Sequence, residues 1–235
     1  VSHSRQLPSK ARLYSNACRC RIDCDATIHP SGTLGRSVTY FVRMTQLTQS
    51  VSLEFDDDVA LIRIDNPPVN ALSQHVRQGL LDGVTQAESS DAESIVIICD
   101  GRTFIAGADI TEFSGPAQPP GLQSVQDAME NCSKPIIAAV HGTALGGGLE
   151  VALCAHYRVG IAGSKYGLPE VKLGLLPGAG GTQRLPRVTG AAKALDMMTS
   201  GDPIDAQEAL QCGLIDELVD DLQSGAVAFA RRAVA

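Results

Sequence analysis

Two short, unbroken apolar runs, Ser94–Cys99 (SIVIIC) and Ile136–Val140 (IIAAV), constrain the fold of this chain most. Neither alternates apolar with polar residues, so each reads as a buried strand. Val51–Phe55 and Val59–Asp65, joined by Asp56-Asp57-Asp58, read as a β-hairpin that ends at Asn66-Pro67-Pro68. Tyr157–Ile161 reads as a further strand, and Gly101–Ile110 as a strand edge breaking into a turn. Helical patterns lie between these runs. Ser73 is placed to cap a helix with Val76, Leu80, Leu81 and Val84 on one face, and Leu122–Asn131 aligns Leu122, Val125 and Met129. Further helices are expected at Gly146–Cys154, Thr182–Val188, Ala191–Thr199, Asp205–Gln211 and Ala226–Ala235. Strands alternating with helices predict an α/β fold with a helical C-terminal portion.

Charge divides the chain. Residues 1–43 carry seven Lys/Arg against two Asp, whereas residues 44–235 carry twelve against twenty-four Asp/Glu. An acidic body lacks the basic footprint that nucleic acid requires, so no nucleic-acid partner is expected. No apolar run approaches the ~18 residues that span a bilayer, so no membrane role is expected either. The first 43 residues are Arg- and Ser-rich, as in a mitochondrial transit peptide, but Pro8, Pro30 and Gly32 interrupt any amphipathic helix there. They are expected to be a disordered or non-native extension, with residues 44–235 as the folded domain starting at Met44. Cys18, Cys20 and Cys24 lack the paired dyads of a structural zinc site. Cys99, Cys132, Cys154 and Cys212 sit in apolar segments and read as reduced core residues of a cytoplasmic protein.

Candidate chemistry concentrates in 141–170, read HGTALGGGLEVALCAHYRVGIAGSKYGLPE. Gly146-Gly147-Gly148 opens a helix whose first N–H groups have no intrahelical partner. Glu150 follows on the first turn among Leu149, Val151 and Leu153, where a carboxylate is costly unless paired or functional. Glu170, after Gly167-Leu168-Pro169, is a second carboxylate in an apolar context. Either glutamate alone has an ordinary explanation, a dipole-complementing first-turn Glu or a loop ion pair. Together, beside a glycine-opened helix, they read as an acid/base pair facing an oxyanion site. There is no phosphate-loop or dinucleotide glycine fingerprint, and no nucleophile elbow to accompany His141. His141, His156, Asp109 and Arg184 therefore read as structural, with Asp109 capping the turn after Ala108.

Five segments then resemble one family: 104–110 (FIAGADI), 134–142 (KPIIAAVHG), 144–150 (ALGGGLE), 167–170 (GLPE) and 176–185 (LPGAGGTQRL). In this order they are similar to the enoyl-CoA hydratase/isomerase (crotonase) family from about Val51 onward. Leu149 and Pro186-Arg187 most resemble the hydratase region of multifunctional fatty-acid oxidation enzymes. The resemblance implies a spiral of repeated ββα units and assembly as trimers or trimer pairs. It implies an oxyanion hole from the N–H groups of Ala108 and Gly147, with Glu150 and Glu170 as the catalytic carboxylates. Ala71, Ala106 and Ile110 match segments that contact coenzyme A, and Ser114–Leu122 the acyl-pocket segment. Hydration of a 2-enoyl-CoA is the expected activity, with Δ3-Δ2-enoyl-CoA isomerisation or non-catalytic acyl-CoA binding as alternatives. No metal or redox cofactor is implied; nicotinamide would serve only a 3-hydroxyacyl-CoA dehydrogenase domain outside this chain. Relatives continue past the position of Ala235 with helices that complete the acyl pocket, so the domain is expected to be truncated. A mitochondrial or peroxisomal location is the alternative to the cytoplasm.

Overall fold

A computed structural model describes residues 44–116 and 118–234, leaving the side chains of Phe113 and Ser114 aside. The expectations for residues 1–43, including Cys18, Cys20 and Cys24, lie outside the described residues, as does Ala117 of the acyl-pocket segment. The strands are β1 (Thr45–Thr48), β2 (Val51–Asp56), β3 (Val59–Ile64), β4 (Ser94–Cys99), β5 (Ile136–Val140), β6 (Thr143–Leu145), β7 (Tyr157–Gly160), β8 (Lys165–Gly167), β9 (Ile204–Asp205) and β10 (Glu217–Leu218). The helices are α1 (Gln74–Glu88), α2 (Leu122–Glu130), α3 (Gly147–Ala152), α4 (Gly181–Thr189), α5 (Ala191–Ser200), α6 (Ala206–Gln211) and α7 (Leu222–Ala233). Short 3-10 turns cover Ile110–Ser114 and Pro169–Leu173.

Among the described residues these strands form two sheets, one ordered β1-β2-β3-β4-β5-β7-β10 and the other β6-β8-β9. The hairpin β2–β3 is antiparallel, while β3, β4, β5, β7 and β10 run parallel. Two successive turns of chain repeat one plan. β5–β6–α3 and β7–β8–α4 each give one strand to the large sheet, one to the small sheet, and then a helix. This is the ββα spiral of the crotonase fold.

The apolar runs are continuous because both faces of the large sheet are covered. Ala60, Ile62, Ile95, Ile97, Ile136 and Ala138 pack with α1, α2 and α3 in the main core. The alternating residues Leu61, Val96, Ile98, Ile137 and Ala139 pack beneath Ala226, Val227 and Ala230 of α7. Cys99, Cys132 and Cys154 are buried free thiols, as expected, and burial pushes Cys154 up to about 12. No helix among the described residues is long and apolar enough to cross a membrane.

Several local expectations need correction. Ser73 does stand at the N-cap of α1, but its hydroxyl makes no cap bond. Glu112, from the 3-10 turn, accepts the Gln74 N–H at 2.6 Å instead and pairs with Arg77 at 2.9 Å. A distant carboxylate thus supplants the local cap and ties the 110–114 turn to α1. The stretch 101–110 is no strand; its one ladder contact is a bridge between Leu72 and Ala108. α7 begins at Leu222 rather than Ala226, because Asp221 accepts the Ser224 N–H and caps it. Asp205 likewise stands outside α6 as its cap.

Candidate active site

Glycine at positions 146 and 148 brings the start of α3 against a distant segment. Gly146 has φ +52°, a conformation that L side chains rarely adopt. At Gly148 an added Cβ would lie 2.0 Å from the Ile105 carbonyl oxygen, so only glycine fits. The Leu145 N–H also donates to Ile105, at 3.1 Å. This contact sets Gly147 beside Ala108: the Ala108 nitrogen is 3.7 Å from where a Gly147 Cβ would stand. Gly147 is the first residue of α3, so its N–H has no intrahelical acceptor. Among the described residues, neither this N–H nor that of Ala108 enters a turn, loop or cap hydrogen bond. Two donors from segments nearly forty residues apart in sequence are thereby brought together.

One carboxylate lies on the first turn of α3 and the other beside Gly146, at the same helix start. Glu150 is only 3% exposed, and its Oε1 accepts the N–H groups of Ala179 at 2.7 Å and Gly181 at 2.9 Å. No hydrogen bond among the described residues takes its Oε2. Glu170 lies on the 3-10 turn Pro169–Leu173, and its Oε1 is 3.4 Å from where a Cβ of Gly146 would stand. Its Oε2 is buried without a hydrogen-bond partner among the described residues, so the loop ion pair considered for it is not formed. Burial raises the proton affinity of Glu170 above its ordinary value, and the Glu150 charge adds to the effect.

A carboxyl more easily protonated in the native state makes folding stability fall as pH rises through its titration range. Glu170→Gln removes that penalty and is expected to raise the melting temperature at neutral pH. The gain should vanish in acid, below the ordinary carboxylate range, where the wild-type carboxyl is neutral in both states. Calorimetry at the two pH values checks this, and an equal gain at both would contradict the burial argument.

The segments expected to meet coenzyme A also adjoin the site. Leu72 N–H donates to Gly107 O at 3.0 Å, and Ala106 N–H to Val69 O at 3.2 Å, so 69–72 and 106–108 run side by side. Ala71 and Ala106 are therefore neighbouring backbone segments beside Ala108. Ile110, two residues on from Ala108, stands 73% exposed. A pocket of about 260 Å³ opens at Ala108, lined by Leu72, Arg77, Asp109, Glu112, Gln118, Gly121 and Leu122. The expected acyl segment contributes Gln118, Gly121 and Leu122 to it.

The residues read as structural all make local contacts. Asp109 accepts the Thr111 N–H at 3.0 Å, and bonds from the Thr111 hydroxyl and N–H hold its carboxyl below the ordinary value. His156 Nδ1 accepts the Ile136 N–H at 3.1 Å, and burial lowers its proton affinity. His141 Nε2 contacts Gly101 O at 3.1 Å. Arg184 pairs with Glu130 at 2.6 Å. No group of three or more His, Cys, Asp or Glu among the described residues could hold a metal ion. Sequence reasoning missed the amides of Ala179 and Gly181 as partners of Glu150. The glycine-rich stretch 178–181 was their only local signal.

The enoyl-CoA hydratase/isomerase family signature matches residues 54–235. The chain is 48% identical over 179 residues to the peroxisomal bifunctional enzyme of Danio rerio, covering 75% of this chain and 25% of that protein. It thus spans about a quarter of that relative's length. It is 43% identical over 198 residues to a probable enoyl-CoA hydratase of Bacillus subtilis, covering 78% of this chain and 77% of that one. Among solved structures, an enoyl-CoA hydratase subunit of Geobacillus kaustophilus aligns at TM-score 0.74 with 34% identity, covering 80% of this chain and 77% of the other. Spiral topology, paired amides, paired glutamates and these likenesses agree: the chain belongs to the enoyl-CoA hydratase/isomerase family.

Proposed function

We propose that this chain adds water across the 2,3 double bond of 2-enoyl-CoA thioesters, giving 3-hydroxyacyl-CoA in fatty-acid β-oxidation. The observation that supports the reading is the pairing of Ala108 with Gly147 at the start of α3, with Glu150 on the first turn of that helix and Glu170 Oε1 beside Gly146. Hydrating a conjugated thioester builds negative charge on the carbonyl oxygen, and two fixed N–H donors are suited to receive it. Glu150, anchored through Oε1 and with Oε2 unengaged, takes a proton from water as the oxygen bonds to C3. Glu170, whose proton affinity burial raises, gives a proton to C2 as the enolate collapses. Proton transfer back from Glu150 to Glu170 restores both groups. No metal or redox cofactor enters these steps.

A single carboxylate would suffice to shuttle a proton in Δ3-Δ2 isomerisation. The buried and anchored Glu150 beside Glu170 favours hydration. The bifunctional relative supports placing this chain as the hydratase part of a hydratase/3-hydroxyacyl-CoA dehydrogenase. Leu173, Leu175 and Leu176 stand exposed next to Glu170, an apolar rim that supports the trimer contact implied by the family.

The test is the absorbance of the conjugated thioester on mixing the full chain with crotonyl-CoA. Its loss, with a product heavier by one water, is expected. Tight binding of crotonyl-CoA without loss of absorbance would establish a binding protein instead.

A further inference from the structure

Glu150 is fixed by a loop that has little means of fixing itself. Residues 178–181 read Gly-Ala-Gly-Gly, a loop running into the first residue of α4, so the segment carries almost no side-chain packing and a high conformational entropy. Its Ala179 carbonyl is held from outside by two side chains, Gln126 Nε2 at 2.7 Å and Arg184 Nη1 at 2.9 Å. Arg184 is in turn paired through Nε with Glu130 at 2.6 Å. Both struts therefore return to α2.

We propose that Gln126 is a positioning residue for Glu150, acting through Ala179; its catalytic consequence rests on the hydration reading above. Gln126 is fully buried on α2, and its Oε1 has no hydrogen-bond partner among the described residues. An unpaired amide oxygen in a core is unfavourable, and an apolar side chain of similar length would avoid it. What the amide supplies in return is the Nε2 donor to Ala179, whose own N–H donates to Glu150 Oε1. Leu122, Gln126 and Glu130 are spaced four apart and share one stripe of α2. Leu122 meets the Gly147 side of the site and lines the pocket, while Gln126 and Glu130 hold the Glu150 loop. One helix face thus sets the spacing between the amide pair and the carboxylate.

The experiment compares the full chain with Gln126→Met and Glu130→Gln by two readouts, hydration kinetics and amide hydrogen exchange at Ala179 and Gly181. Gln126→Met is expected to lower kcat by ~10–100-fold with KM changed about twofold or less, as for a misplaced catalytic group. Exchange at Ala179 and Gly181 should quicken while the rest of the core keeps its protection. Glu130→Gln, on the partly exposed rim, should do the same to a smaller extent, and it carries the test if Gln126→Met fails to fold. Unchanged exchange at those two amides in the folded variants overturns the proposal. So does a loss of kcat accompanied by uniformly faster exchange, which marks a purely structural role. If the wild-type chain hydrates nothing while the two amides are still released, the tether stands and the function proposed above is what fails.

Discussion

Glu150→Gln is expected to lower kcat for crotonyl-CoA hydration by ~10²–10⁴-fold, the usual contribution of a positioned general base. The amide keeps a carbonyl oxygen that can still accept from Ala179 and Gly181, so the loop geometry has no reason to change. What disappears is the second carboxylate oxygen, the one no hydrogen bond occupies. The loss should therefore fall on kcat, with KM and the affinity for a saturated acyl-CoA nearly unchanged. Progress curves and calorimetric titration read the two separately. A variant that turns over near the wild-type rate would remove Glu150 from the mechanism, and a variant that no longer binds would recast it as a structural residue.

Gly147→Pro is expected to cost ~10²–10³-fold in kcat, the effect of deleting one oxyanion donor. Proline is well suited to the first position of a helix, where its missing N–H had no intrahelical acceptor, so α3 should form normally. A side chain there does press on Leu72, whose Cδ1 lies 3.1 Å from the added Cβ. Gly147→Ala brings the same Cβ while keeping the N–H, and so separates crowding at the Cβ from the change at the nitrogen. Alanine should retain most of the rate that proline loses. Equal losses in both variants would mean that shape rather than the amide matters at Gly147, and the oxyanion assignment would fall.

The parts of the fold that were legible in advance are those with a local signature. β4 and β5 fall at the residues expected because a continuous apolar run is readable without knowledge of its neighbours. The hairpin β2–β3 announced itself through Asp56-Asp57-Asp58, the last two of which make its turn. β1, β6, β8, β9 and β10 escaped notice, since two to four residues are too few to display a period. The cap of α1 went wrong for another reason: Ser73 has the right chemistry, but Glu112 reaches the helix end from 38 residues away. Such competition leaves no trace in the local sequence.

The same division runs through the site. Glycines 146–148, Glu150 and Glu170 could be picked out from residue type and spacing, because a helix opening and a carboxylate in an apolar stretch are local facts. Which oxygen of Glu150 is anchored, that its anchors lie 29 and 31 residues onward, and that α2 holds them in place were decided only by the tertiary structure. Backbone amides look alike in every residue but proline. Only their arrangement in space, set by the packing of one segment on another, makes two of them an anchor for a carboxylate and brings two others together beside it.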